Sequence, residues 1–201
     1  MKNQLIISVG REFGSGGHII AEMLAKEFQL SFYDDNLMKE IAEKKEVASA
    51  ELEKYDETPK RKLFSRKVKG FGNSPEENVA NIQFDYMRQK AENGESFVVV
   101  GRCSDEILKS FDGFVSIFIL GDTTCKAERV MEKYNLSKSE AETLMQKTDR
   151  KRRLYHNYYC QTKWGDSRSY DLSINSSRLG IEKTVEILKA YINERIAEKQ
   201  R

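Results

Sequence analysis

Apolar residues recur along this chain in two alternating rhythms. Short runs rich in β-branched and aromatic residues, Leu5 to Val9, Leu30 to Tyr33, Ser96 to Val100, Val115 to Leu120 and Tyr170 to Ile174, read as strands, and stretches of helical periodicity follow most of them. Phe97-Val98-Val99-Val100 and Val115-Ser116-Ile117-Phe118-Ile119-Leu120 are almost unbroken in their apolarity, the pattern of strands covered on both faces. Strand and helix in alternation predict an α/β fold with a five-stranded, doubly wound parallel sheet and helices on both faces.

The rhythm breaks twice. Residues 35–93 carry helical patterns around Leu37 to Lys45 and Glu76 to Ala91, separated by a stretch with both prolines and the basic run Lys60-Arg61-Lys62. Residues 146–168 carry four consecutive cations, Arg150 to Arg153, then a tyrosine cluster and Trp164. Ligands of such folds sit at the carboxyl ends of the strands, where insertions close over them, so the chain reads as one domain over 1–201 with two insertions. For the first insertion a solvated linker and a substrate-contacting flap are equally good readings. For the second, a run of cations that cannot all be neutralised locally points to phosphate, because guanidinium forks match phosphate oxygens. Helical spacing sets Asp149 against Arg152 and Arg153 and turns Arg150 elsewhere.

The densest chemistry lies between the first strand and the first helix, where Gly10-Arg11-Glu12-Phe13-Gly14-Ser15-Gly16-Gly17 leads into His18-Ile19-Ile20. Glycines let backbone amides converge, and a helix N-terminus adds about half a positive charge, so such a turn makes a phosphate cradle. Gly14, Gly16 and Gly17 lack the dinucleotide spacing G-x-G-x-x-G. They also lack the lysine and hydroxyl of the P-loop G-x-x-x-x-G-K-[ST], whose places are held by Gly17 and His18. Another cation must compensate, with Arg11 and a protonated His18 as candidates, or the loop binds without fast transfer.

The 201 residues, 39% hydrophobic and 33% charged with a formal net charge of +2, suit one core and give no polyelectrolyte signal for nucleic acid. The three cysteines are far apart and outside CxxC spacing, against a disulfide framework or a structural zinc site. With no signal peptide and no apolar run near the ~20 residues that span a bilayer, the expected location is cytoplasmic and the expected partners are small molecules.

These pieces together resemble the cytidylate kinase-like proteins, a branch of the P-loop nucleoside monophosphate kinases. The resemblance rests on Ile7 to Gly17, on Phe32-Tyr33-Asp34-Asp35, on Val99-Val100-Gly101-Arg102-Cys103, and on Lys163-Trp164-Gly165-Asp166 followed by Tyr170-Asp171-Leu172. It implies a three-layer NMP-kinase-like fold with a monophosphate-binding insertion over 35–93 and a lid over 146–168. It also implies ATP and Mg2+, with transfer of the γ-phosphoryl group to a pyrimidine nucleotide such as CMP or dCMP. Gly14, Ser15, Gly16 and Gly17 would then hold the donor phosphates beside Arg11, His18 and Arg129, and Ser15 is the loop hydroxyl left for the metal. Asp34 would lie by the acceptor nucleotide, Arg102 would meet the acceptor phosphate, and Arg150 and Arg152 would close from the lid. Against this, Asp34 serves equally well as a helix cap, Arg102 as a surface ion pair, and Trp164 with the tyrosines as lid packing. The missing lysine leaves open a nucleotide-binding sensor that transfers nothing, or a kinase for another small acceptor.

Overall fold

The computed structural model describes residues 4–34, 37, 41 and 75–198. Strand β1 (Ile6–Arg11) leads into α1 (Gly17–Phe28) and β2 (Ser31–Tyr33). Helix α2 (Pro75–Glu92), β3 (Phe97–Val100) and a short α3 (Ser104–Ile107) follow. The chain then runs through β4 (Phe114–Leu120), α4 (Thr123–Tyr134), α5 (Lys138–Tyr159), a 3-10 turn at Ser167–Ser169, β5 (Leu172–Asn175) and α6 (Gly180–Glu198). The strands lie in the order β2-β3-β1-β4-β5 and every pairing is parallel, so the five-stranded parallel sheet read from the apolar runs is present.

The near-continuous apolarity of the strands has its reason in two separate cores. Ile6, Phe97, Val99 and Phe114 turn to one face, where they meet Val79, Phe84 and Met87 of α2, Leu37, Ile41 and Tyr155. Their chain neighbours Ile7, Val98, Val100, Val115, Ile117 and Ile119 turn to the other face, against Ile20 and Leu24 of α1 and Val185, Leu188 and Ile192 of α6. A strand buried on both sides has no solvent face to mark with polar residues. Each large aliphatic side chain so buried contributes roughly 1.5–3 kcal/mol.

The two insertions have different outcomes. Of the expected helix over Leu37 to Lys45, only Leu37 and Ile41 are described, both fully buried, and the basic run with its prolines lies outside the described residues. The second helix of that insertion is present as α2. In the other segment, residues 146–159 form the second half of α5, which begins at Lys138. The start of α5 follows from a capping box: the Ser137 hydroxyl accepts from the Glu140 N–H, and the Glu140 carboxylate accepts from the Ser137 N–H at 2.8 Å. Ala141 and Met145 then pack on Ala127 and Val130 of α4, with Phe13 against them.

Candidate phosphate-binding cleft

The glycine loop is shaped by backbone positions that a side chain resists. Gly14 and Gly16 have φ of +81° and +79°, and a Cβ on Gly14 would stand 2.8 Å from the Lys126 carbonyl oxygen. Gly16 caps α1 without any side-chain hydrogen bond, and the first turn of α1 contains no acidic residue, so no carboxylate of that turn answers the helix dipole.

A cleft of about 620 Å³ opens over this loop. Its walls include Arg11, Gly14, Gly16, Gly17, His18, Asp34, Arg129 and Arg152, which come from β1, the loop, α1, the end of β2, α4 and α5. Three guanidinium-bearing residues thus converge on one helix N-terminus. Two of them are wired to the loop backbone: Arg129 donates to the Gly14 carbonyl at 3.3 Å and Arg152 to the Arg11 carbonyl at 3.4 Å. His18 and Asp34 meet at 2.6 Å between Nε2 and Oδ2, so the Asp34 carboxylate faces the loop, while the turn after β2 closes through a bond from the Leu37 N–H to the Asp34 carbonyl.

The other expected residues fall around this centre. Arg150 is exposed and outside the cleft walls, on the face of α5 away from Asp149. Arg102 is almost fully buried and lines a second, small hollow that shares Arg11 and Arg152 with the main cleft. Its backbone is left-handed at φ 61°, between Gly101 at 74° and Cys103 at 56°, and two consecutive non-glycine residues in that region cost roughly 1–2 kcal/mol each. Backbone strain held at a strand end is characteristic of functional turns. Ser15 is fully buried; its hydroxyl donates to the Glu12 carbonyl at 2.8 Å and accepts from the Gly17 N–H at 3.3 Å. That inward orientation separates it from the glycines it was grouped with, because the turn uses the hydroxyl to brace itself.

Several residues of the site carry no local signal. Glu12 receives the buried Lys126 ammonium at 2.7 Å and the Gly121 N–H at 3.2 Å, which clamps the loop to the start of α4. Asp149 accepts from the Phe13 N–H at 2.7 Å and lies 3.8 Å from Arg152, the partner that helical spacing assigned to it. Burial pushes the Asp149 carboxyl above its ordinary value, against the opposing pull of that N–H and of Arg152. Phe13 stacks on Tyr134 at 5.9 Å, and the Arg152 guanidinium lies 5.5 Å from the Phe13 ring, giving the cleft an aromatic wall beside its cationic one. The tyrosine cluster is packing: Tyr155 and Tyr158 both stand 4.8 Å from Tyr159, which meets Phe84 of α2. Trp164 packs edge-on against Phe118 at 5.3 Å, under the Arg153 guanidinium.

A parallel sheet in this order, with a glycine loop between β1 and α1 and helices on both faces, is a P-loop kinase-like fold. Residues 6–178 match the cytidylate kinase-like family, and the chain belongs to that family. It is similar, at 36% identity and a TM-score of 0.76, to an uncharacterized protein from Eubacterium ventriosum of known structure, over 94% of this chain and 99% of that one. At the level of fold alone it is similar to shikimate kinase from Bacteroides thetaiotaomicron, with a TM-score of 0.56, 14% identity, and coverage of 94% of this chain and 98% of that one. The same holds for a gluconokinase from Sinorhizobium meliloti, with a TM-score of 0.55, 13% identity, and coverage of 100% and 97%. No curated protein matches the sequence. Among the described residues no helix is long and apolar enough to cross a membrane.

Proposed function

We propose that this protein transfers the γ-phosphoryl group of ATP to a nucleoside monophosphate, with CMP and dCMP as the preferred acceptors. The observation that carries the reading is the convergence of Arg11, Arg129 and Arg152 on the N-terminus of α1, whose first turn holds no acidic residue, in a cleft of nucleotide size. The amides of the glycine loop and these guanidinium groups hold the donor phosphates, the Phe13 and Tyr134 rings offer an apolar wall, and Asp34 and Arg102 serve the acceptor side. Arg150 joins from α5 when the lid closes. An acceptor phosphate oxygen is already a nucleophile, so no general base is needed. As its bond to Pγ forms, the bond from Pγ to the β-bridging oxygen breaks and ADP leaves. Positioning and charge neutralisation then carry the rate.

Mg2+, when bound, would add charge neutralisation at the donor phosphates. The residues of the loop do not fit a protein ligand for it in this arrangement: the Ser15 hydroxyl is buried and donates to a carbonyl, and the Glu12 carboxylate is occupied by Lys126. Each cationic role above is therefore assigned to the arginines.

A second reading, a nucleotide-binding protein that transfers nothing, is favoured by the absence of a lysine at Gly17 and His18 and by the tie between His18 and Asp34. One preorganised charge lost at a transition state costs about 3 kcal/mol, a rate factor in the hundreds. The two separate in one assay, with ATP and Mg2+ offered together with CMP, dCMP, UMP, shikimate or gluconate and formation of ADP and phosphorylated product measured. Product from CMP or dCMP supports the kinase reading, and product from shikimate or gluconate alone replaces its acceptor. Calorimetric binding of ATP without product from any acceptor selects the second reading, and no binding of ATP overturns both.

A further inference from the structure

In the small hollow that adjoins the cleft, the last turn of α5 meets the turn after β3 in a cluster of side chains given no part in the phosphoryl transfer proposed above. His156 and Cys160 stand four residues apart, on one face at the end of α5. Cys103 and Asp105 stand two apart at the start of α3. The donor atoms of Asp105, His156 and Cys160 all lie within 4.8 Å of one another, and Cys103 lines the same small hollow as Asp105 and His156. The imidazole is the informative member. Its Nε2 lies 2.7 Å from Asp105 Oδ2, whereas its Nδ1, in a side chain only 6% exposed, makes no conventional hydrogen bond and has the Cys160 thiol as its neighbour. A buried imidazole nitrogen answered only by sulfur is a weakly satisfied group, and nitrogen beside sulfur is the pairing a soft metal ion takes.

We propose that His156 Nδ1, Cys160 Sγ and Cys103 Sγ bind a thiophilic transition-metal ion of the Zn2+ class, with the Asp105 carboxylate orienting the imidazole through Nε2. The arrangement C-x-D on one element and H-x3-C on another brings an imidazole and two thiols to one point, a set whose softness selects Zn2+ over Mg2+ or Ca2+. A carboxylate on the distal histidine nitrogen fixes the tautomer that leaves Nδ1 free to ligate. Binding displaces the protons of the two thiols and the second imidazole proton to solvent, and a water fills the remaining position. The ion would staple the end of α5 to the strained turn that carries Arg102, so its place is structural and its test need not involve turnover. The spacing of the three cysteines argued against a zinc site because four elements, α3, β4, α4 and α5, separate Cys103 from Cys160 in the sequence.

Cobalt(II) is the probe. Titrated into the metal-free, reduced protein, Co2+ is expected to bind at one ion per chain with a thiolate-to-cobalt charge-transfer band in the near ultraviolet, which added Zn2+ removes. Cys160→Ser and His156→Gln should abolish the band and Cys125→Ser should keep it. Asp105→Asn should keep the band and weaken binding about 10- to 100-fold. Absence of the band in the unmodified chain, or its persistence in Cys160→Ser, overturns the proposal. If Cys160→Ser fails to fold, alkylation of the unmodified chain decides the matter: Zn2+ should slow iodoacetamide labelling of Cys103 and Cys160 but not of Cys125, and unchanged labelling overturns the site.

Discussion

Among single residues, Arg152 is the one on which most of the cleft converges. Its guanidinium reaches the Arg11 carbonyl, faces Asp149 and lies on the Phe13 ring, while Arg150 two residues earlier points outward. Arg152→Ala is expected to lower kcat/KM about a hundredfold or more with CMP, the usual effect of losing a preorganised cation. Arg150→Ala should cost clearly less, and steady-state kinetics of both variants reads the ranking directly; equal losses would place Arg150 in the closed site on the same footing. Asp149 has a separate signature. Because burial raises its folded-state pKa above the ordinary 3.8, protonation favours the folded chain. The stabilisation is complete below 3.8 and is lost as pH rises through the folded value. Asp149→Asn, which keeps an oxygen for the Phe13 N–H, should therefore show a flatter melting-temperature profile than the unmodified protein as pH rises above 3.8. Profiles that run parallel would contradict this.

At the scale of elements, α5 is the part whose ends have separate duties. Its start is set by the Ser137 and Glu140 capping box, far from the cations that its second half presents. Ser137→Ala is expected to destabilise the protein by about 1 kcal/mol, seen as a lower unfolding midpoint in urea, with kcat on CMP unchanged. A kcat that falls with stability would mean that the helix transmits its N-terminal order to Arg152. The strands illustrate how far local pattern reaches: every one begins within two residues of the position its apolar run indicates, and in β3 and β4 two-sided burial leaves an almost unbroken hydrophobic mark. The start of α5 is legible in the capping-box residues Ser137-Lys138-Ser139-Glu140, well before the cation run that its second half carries.

For the whole molecule, the cleft exists only because β1, α4 and α5 come together over the α1 terminus. Binding there stabilises the native state alone, so ATP at about a hundred times its Kd should raise unfolding free energy by about 2.7 kcal/mol. Arg129→Ala, which removes the group donating to the Gly14 carbonyl, should shrink that gain in the same thermal-shift measurement. A full ATP-dependent gain in the variant would remove Arg129 from the donor site. The sequence by itself determined the succession of strands and helices, the parallel class of the sheet and the glycine turn that leads into α1, because hydrophobic period and glycine placement act over a few neighbouring residues. Tertiary structure alone decided which charges reach the cleft and which are cancelled. Lys126 is neutralised by Glu12 across 114 positions and His156 is held by Asp105 across 51, while Arg152, facing Asp149, reaches the cleft wall and Ser15 turns inward. Such pairings depend on how the crossover helices dock on the sheet, and no periodicity along the chain encodes the distance between two side chains that meet only after docking.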